Sequence, residues 1–446
     1  MALTPEQKEV LARTKTDEVK FVNFQFTDVV GIIKSVTLPV ERLPEAFERG
    51  IWFDGSSIEG FTRIQESDMF LVPDAETYRV LPWGWQAGKV ARFVCDIFTP
   101  NGDPFDGDPR RILRRAVDLA AEQGMTFNTG VELEFYLFTP ENGRIRPAPH
   151  DVGSYFDISP RDEASLVRQD ITRALEDMGL EVEMIHHEVG PGQHEIDFRY
   201  ADALTSADNA VTFKYTVKAI AQRHGLYATF MPKPIYGIAG SGMHTHQSLF
   251  RDGQNLFYRA DDPYKLSPMA YSFMAGQMAH ARALAALVAP TVNSYKRLVP
   301  GYEAPVYVCW AQINRSALIR IPRYSPGREL STRLELRCPD PSCNPYLAFA
   351  AMLHAGLDGL NQNMQPPPPV EEDVFHWDAE ELLERGVATL PGSLKEALDE
   401  LAKDEVIQQA LGAHAYESFR RAKMEEWNEY RTQVSQWEVD HYLEIL

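Results

Sequence analysis

The chain is predicted to be an α+β protein in two unequal parts, a small strand-rich N-terminal domain followed by a large domain of strands and helices. Three observations carry this reading. Apolar and polar residues alternate at a period of two through 19–26, 32–38, 68–72 and 91–98, the spacing of half-buried strands. Thr99-Pro-Asn-Gly-Asp-Pro-Phe-Asp-Gly-Asp108 then has the composition of a linker. Beyond it strands alternate with helix-spaced segments, and the C-terminal part is helical throughout. The 446 residues are enough for two or more domains. The boundaries drawn are an N-terminal helix within 1–16, a strand-rich domain over 17–101 and a large domain over 109–446.

Taken in order, 6–14 suits a short helix and 19–26 a strand. Thr27-Asp28 to Gly31 turns the chain, and 32–38 returns as a hairpin partner ended by Pro39. A helix over 41–49 is closed by Gly50, and Phe53 to Gly60 reads as a loop. Asp108-Pro109 opens the next helix: the carboxylate can accept from free backbone N–H groups, and proline fits the first helical position. That helix runs to Gln123, and Gly124 closes it. Further helices are expected over 163–178, 201–224 and 267–288, with strands over 131–138, 181–187, 193–198, 226–231, 242–249, 306–314, 318–321 and 331–337. The C-terminal helices fall over 345–360, 378–384, 393–401, 404–411 and 414–433, with Pro366 to Pro369 as a stiff connector.

Lys plus Arg number 44 and Asp plus Glu 64, so the formal charge is 44 − 64 = −20. This argues against general nucleic-acid or anionic-membrane binding. The most apolar window, Met278 to Val288, is broken by His280 and Arg282 and stopped by Pro290, too short to span a bilayer. Cys95, Cys309, Cys338 and Cys343 have neither metal-pair nor disulfide spacing. Reduced thiols and an N-terminus without a signal-peptide core fit a cytoplasmic setting.

The chemistry gathers on four strand-like segments. In Arg333-Leu-Glu-Leu-Arg337 the leucines point one way, while Glu335 points the other way between two guanidiniums. Glu132 and Glu134 share one face of Val131 to Phe135, Glu195 and Asp197 one face of His194 to Phe198, and His244, His246 and Ser248 one face of 242–248. Side by side, these strands would make a sheet with one apolar face and one of Glu, His and Arg. One such strand is most simply a solvated outer face; four favour a site. Glu132, Glu134, Glu188, Glu195, Glu335 and His244 form a hard-ligand set suited to Mg²⁺ or Mn²⁺, with too much negative charge for one ion. Only one of His186 and His187 can share the side of Glu188, and neither is assigned. Arg297, Arg315, Arg320, Arg333 and Arg337 suit a multiply anionic substrate. Pro232 to His244 is glycine-rich but carries no Walker sequence, and Asp54-Gly-Ser-Ser57 reads alone as a capped turn.

Taken together, Phe53-Asp-Gly-Ser-Ser-Ile-Glu-Gly60, Glu132-Leu-Glu134, Gly240-Ser-Gly-Met-His244, Asn293-Ser-Tyr-Lys-Arg-Leu298, Asn314-Arg315, Arg333 to Arg337, Pro339-Asp-Pro341 and Asn344-Pro345 resemble the type I glutamine synthetases, from end to end of the chain. The resemblance implies a β-grasp N-terminal domain and a catalytic domain with a curved antiparallel sheet backed by helices. It implies a ligase that uses ATP to join ammonia to the γ-carboxylate of L-glutamate. It also implies a dodecamer of two hexameric rings, with active sites shared between neighbours.

By this likeness Glu134, Glu188 and Glu195 would hold one metal, and Glu132, His244 and Glu335 the second. Glu183, His246 and Ser248 would face ATP, with Arg315, Arg320 and Arg333 around its phosphates. Ala239, Gly240, Arg297 and Arg337 would lie at glutamate, Glu303 on a closing flap, and Asp54 with Ser57 at ammonium, supplied by the next subunit. Ala239 stands where the family usually has Asn, and Phe375 where adenylylated members carry a tyrosine. The chain is therefore similar to the shorter members, which respond to glutamine feedback, with Arg63 the residue to look to. A relative using a larger amine, an inactive regulatory relative and a two-metal hydrolase are the competing readings. The hydrolase leaves the arginines without a purpose.

Overall fold

A computed structural model of the chain describes residues 3–60, 68–158, 162, 164–300, 304–372, 374 and 377–446; Arg63, Glu303 and Phe375 lie outside the described residues. The N-terminal part holds helices α1 (Pro5–Thr16) and α2 (Leu43–Arg49) and strands β1 (Val19–Thr27), β2 (Ile33–Pro39), β3 (Ile51–Asp54), β4 (Asp68–Pro73), β5 (Arg79–Val80) and β6 (Lys89–Phe98). The sheet order is β2-β1-β6-β4-β3, with β5 beside β6. β1 and β6 run parallel, and the other pairs antiparallel. The period-two pattern puts Val22, Phe24 and Phe26 on one buried face, where Phe24 stacks on Phe93 at 5.8 Å and Phe47 of α2 meets Phe93 edge-on. The loop expected from Phe53 begins later than predicted. Chain 51–54 pairs with β4, setting Asp54 opposite Asp68 at the sheet edge.

The large sheet contains β7 (Thr126–Phe138), β8 (Val182–His187), β9 (Gln193–Phe198), β10 (Ala201–Asp202), β11 (Tyr227–Thr229), β12 (Met243–Arg251), β13 (Gln254–Asn255), β14 (Tyr307–Ala311), β15 (Ala317–Arg320) and β16 (Leu334–Leu336). Its main order is β14-β15-β16-β12-β7-β9-β8. The sheet is antiparallel except for the pair β14–β15. Behind it lie α3 (Pro109–Glu122), α4 (Ala164–Asp177), α5 (Ala203–Arg223), α6 (Pro268–Ala279), α7 (Ala281–Val288), the short α8 (Ser294–Arg297) and the almost wholly buried α9 (Pro345–Asn361). The C-terminal layer is α10 (Ala379–Glu384), α11 (Leu394–Leu401), α12 (Glu405–Leu411), α13 (Ala413–Tyr430) and α14 (Gln436–Tyr442). The core is built from the inward residues of the sheet, such as Val131, Leu133, Phe135, Ile196, Leu334 and Leu336, against these helices.

Two helix expectations differ from the structure. The run 267–288 is two helices, not one, because His280 breaks it with both ring nitrogens pinned, Nδ1 to Asp404 at 2.7 Å and Nε2 to Asp358 at 3.1 Å. The last helix, α14, carries its own capping box at Ser435 and Glu438, a signal the hydrophobic pattern does not contain. All four cysteines are buried and free, and no helix among the described residues is long and apolar enough to cross a membrane.

The two sheets are riveted at the start of α3. Arg110, 4% exposed, reaches Asp96 at 2.7 Å, Asp74 at 2.8 Å and Asp208 at 2.9 Å, while Tyr346 donates to Asp208 at 2.6 Å. Burial opposes the charge on Arg110, but Asp208 and Asp96 more than offset it. Asn344, which caps α9, also donates to the Asp28 carbonyl of the small domain at 3.0 Å. Removing one partner of a buried ionic cluster strands the others. Arg110→Ala is therefore expected to lower the unfolding free energy by about 3–5 kcal/mol, read from urea denaturation. A loss below about 1 kcal/mol would show that the three carboxylates find other partners.

Candidate active site

The four charge-bearing strands of the sequence are neighbours, in the order β16-β12-β7-β9. Cross-strand partners share a face, so the register spells out the site. Arg320, Glu335 and His246 form one row across β15, β16 and β12. His244, Glu132 and Asp197 form the next across β12, β7 and β9. Glu134, Glu195 and His186 form the third across β7, β9 and β8. Gly130 stands opposite His246, so the first row ends there without a further side chain.

Two ligand groups emerge. Glu132, His244 and Glu335 offer ligand atoms all within 4.8 Å of one another, and His186, Glu188 and Glu195 do the same. The first is the set the family resemblance assigns to its second metal. The other contains Glu188 and Glu195 but has His186 in place of Glu134. Glu134 is adjacent but engaged: its Oε2 accepts from Gln193 Nε2 at 2.9 Å and from the Gly242 amide at 3.0 Å. Gln193 Nε2 also donates to the Gly240 carbonyl at 3.1 Å, and Tyr136 donates to the Ala239 carbonyl at 2.5 Å. The third row is thereby tied to the glycine-rich loop. At Gly242 a Cβ would stand 2.7 Å from Arg297 Nη2 and 3.0 Å from His244 Nε2, so a side chain here would displace the guanidinium or the ring.

The face is electrically lopsided. Glu335, fully buried, takes Arg320 at 2.8 Å and also Arg337 in close contact. Burial works against its charge, yet His246 and Arg337 hold its carboxyl below the ordinary range. Glu132 likewise overcomes burial through His246 at 2.6 Å and His244 at 3.2 Å, and lies well below its usual value. Arg333 Nε donates to His246 Nδ1 at 3.1 Å, which leaves Nε2–H of that ring for Glu132. At the other side cations are scarce. Burial and then Glu188 push Glu134 up to about 8. Burial and then Glu134 drive Glu195 up, and burial with Glu132 raises Asp197 to about 7. These raised carboxyls, the oxygen and imidazole donor set and the absence of thiols from it fit hard divalent cations.

Two adjoining cavities open on this face. One of about 740 Å³ is lined by Glu132, Glu134, Glu188, Glu195 and His244. Its rim carries Arg297, Arg315, Arg320 and Arg337, with Ala239 and Gly240 on the loop side. Arg297 donates to the Cys338 and Arg337 carbonyls at 2.9 and 3.0 Å, which fixes its guanidinium. The other, of about 350 Å³, is lined by Glu183, His246, Ser248 and Arg333. Glu132, Met184 and Asp197 line both.

Asp54 and Ser57 line neither cavity. Both are exposed, and Asp54 Oδ1 accepts the Ser56 amide at 2.8 Å. Sequence reasoning assigned no role to His186, Asp197 or Gln193. All three were within its reach, since His186 shares strand parity with Glu188, and Gln193 and Asp197 with Glu195. Tyr155, in the cleft wall, carried no such signal.

A third group, His150, Asp151 and His194, also has ligand spacing. Arg168 Nη1 donates into His194 Nδ1 at 2.9 Å, so that ring accepts there and a guanidinium stands where a metal would be repelled. This cluster is a hydrogen-bonded clasp.

Residues 18–100 match the family profile described as glutamine synthetase, β-grasp domain, and 106–442 that described as glutamine synthetase, catalytic domain. The chain is 52% identical over 441 residues to a glutamine synthetase of Methanosarcina mazei, covering 99% of this chain and 98% of that one. It is 52% identical over 429 residues to the Thermotoga maritima glutamine synthetase, covering 96% and 97%. Among solved structures it resembles a GmaS/ADP complex with TM-score 0.87 and 34% identity, over 98% of this chain and 99% of that one. It also resembles the Plasmodium falciparum glutamine synthetase solved by cryo-electron microscopy, with TM-score 0.87 and 26% identity, over 99% of each chain. The rows of carboxylate, imidazole and guanidinium thus sit in a chain that belongs, over nearly its whole length, to the glutamine synthetase family.

Proposed function

We propose that the chain is a glutamate–ammonia ligase, which spends ATP to make L-glutamine by way of γ-glutamyl phosphate, releasing ADP and phosphate. The observation that carries this is the pairing of two acidic ligand groups with a fixed arginine rim across two adjoining cavities. A carboxylate is a poor electrophile, and phosphorylation gives its oxygen a leaving group. Glu132, His244 and Glu335 would hold one divalent cation, and Glu188 and Glu195, with Glu134 or His186, another. When bound, Mg²⁺ or Mn²⁺ would neutralise and align phosphoryl oxygens.

The protein's own groups do the rest. Arg315, Arg320 and Arg333 would take the ATP phosphates, and Glu183, His246 and Ser248, which line the smaller cavity, would face the nucleotide. Arg297, Arg337, Gly240 and Ala239, which line the larger cavity, would hold glutamate. Glu303 would close over the acyl phosphate and keep water out. Asp54, with Ser57, would take the proton from ammonium. Their exposure away from the cavities fits supply from a neighbouring subunit in a dodecamer of two rings. Arg63 is the residue proposed for glutamine feedback, and the cytoplasm is the proposed location. Ala239 puts only a methyl group on the cleft wall, which favours testing larger amines as well.

Phosphate release from ATP with Mg²⁺ and glutamate should saturate with ammonia and stay low with larger amines; turnover with a larger amine alone would move the reading to a different acceptor. Glu335→Ala is expected to cut this rate by about 100-fold or more, and near-normal activity would sink the metal assignment. Mixed subunits give a separate check. Asp54→Ala and Glu335→Ala proteins, each inactive, should recover about one quarter of wild-type activity when dissociated and reassembled together, because a heterologous interface pairs two intact halves at that frequency; no recovery would mean that one chain supplies the whole site.

The raised carboxyls set a pH dependence. Glu134, at about 8 when folded, and Glu195, also raised, keep their protons at neutral pH without metal. Their contribution to folding is present below the unfolded carboxyl value and is lost as pH rises through the folded ones. The unfolding temperature in EDTA should therefore fall between pH 6.5 and 9, and Mn²⁺ should remove most of that fall. A flat EDTA profile would contradict the lopsided charge.

A further inference from the structure

We propose that Asp151 is a positioning residue that holds the β8–β9 turn in place and so sets the cation affinity of the His186–Glu188–Glu195 group. The inference rests on the metal reading given above. Asp151 belongs to the segment between β7 and α4, far in sequence from the turn, and it lines neither cavity. Its largely buried carboxylate reaches both stems of the turn. Oδ1 accepts from the Gly192 amide at 2.7 Å, on the β9 side. Oδ2 accepts from His187 Nε2 at 3.0 Å, on the β8 side. The other nitrogen of that ring, Nδ1, donates to the carbonyl of Glu188 at 2.6 Å, so one side chain holds the backbone that carries a ligand. Among the described residues no other side chain bonds to both His187 and Gly192.

The surroundings are shaped for this contact. Oδ1 also accepts from the Gly153 amide at 3.2 Å, and a Cβ at residue 153 would stand 2.6 Å from His187 Nε2. Gly192 has φ +73°, and its Cβ would meet the Leu137 carbonyl at 3.0 Å. His150 Nε2 lies 2.9 Å from Oδ2 and closes the outer side. Within the turn, Glu188 N donates to the Gln193 carbonyl at 2.8 Å and Gln193 N to the Gly190 carbonyl at 2.8 Å. These bonds close the loop, and Leu137 N of β7 donates to the Gly192 carbonyl at 2.8 Å, which ties its β9 stem to the sheet. Asp151 adds a side-chain tie that spans both stems. Groups behind metal ligands act in this way, orienting the donors without touching the ion.

The test is Mn²⁺ binding to the full-length protein, followed by the electron paramagnetic resonance signal of free Mn²⁺, with phosphate release measured over the same metal range. Asp151→Asn should weaken one class of Mn²⁺ sites by about 10- to 100-fold, shift the metal dependence of turnover by the same factor, and recover most of kcat at saturating Mn²⁺ with KM for glutamate little changed. His187→Gln breaks the clasp from the other side and should give the same shift, and either variant that folds carries the test. Isotherms equal to wild type overturn the inference. So does loss of fold in both variants, which would make the clasp a stability element. If wild type itself binds no Mn²⁺, the ligase reading fails first.

Discussion

Like-charge repulsion across one face of a buried sheet is the constraint on which the rest of the structure depends. Glu132, Glu134, Glu188, Glu195 and Asp197 crowd together with Glu335 at one side. Two carboxylates about 4 Å apart repel by roughly 4 kcal/mol at the effective dielectric of a protein surface. The sheet tolerates this because its other face is welded to the core through Val131, Leu133, Phe135, Ile196, Leu334 and Leu336. Apolar burial on one side holds strands in register that electrostatics on the other would push apart. The period of two makes both faces available to the same strands.

The repulsion is relieved unevenly, and the unevenness organises the chemistry. Arg320, Arg333 and Arg337 gather at the β15–β16 side, where Glu335 and Glu132 stay ionised. At the β9–β8 side burial and neighbouring carboxylates push Glu134 and Glu195 up. One ligand group therefore has guanidiniums beside it, and the other has carboxyls that burial and their neighbours push up. A phosphoryl group moving between ATP and a carboxylate needs both within a few ångströms. Here the arginine rim faces the larger cavity, and Arg297 is fixed by two carbonyls, so positioned guanidiniums are part of the same device.

The sheet face was legible in the sequence because parity alone separates its two sides. Glu132 with Glu134, His244 with His246, and Arg333 with Glu335 and Arg337 could be placed without knowing strand order. Adjacency of those strands was inferred from their shared character, and the structure makes them neighbours. Parity would also have picked His186 over His187, had it been pressed one residue further. Other features depend on contacts that no local pattern contains. The break at His280 comes from two aspartates on distant helices. The strand 51–54 is defined by its pairing with β4, beyond a loop whose turn residues dominate the local signal. Asp54 is harder still, because it lines neither cavity and its local sequence reads only as a capped turn.

The small domain is tied firmly to the large one. Asp54 sits on an edge strand with an exposed side chain. Its Oδ1 accepts from the Ser56 amide at 2.8 Å. Rigidity has to come from the domain as a whole. Arg110 supplies it by binding Asp74 and Asp96 of the small sheet and Asp208 of the large domain through one guanidinium, and Asn344 adds a second tie to the Asp28 carbonyl. The Asn344 tie leaves from the cap of α9, which follows Arg337 by a few residues, so small-domain placement and the arginine rim share one backbone segment. The clasp proposed for Asp151 follows the same logic at the β8–β9 turn. In each case a charged group outside the two cavities ties together backbone segments that carry the crowded face or the domain beside it.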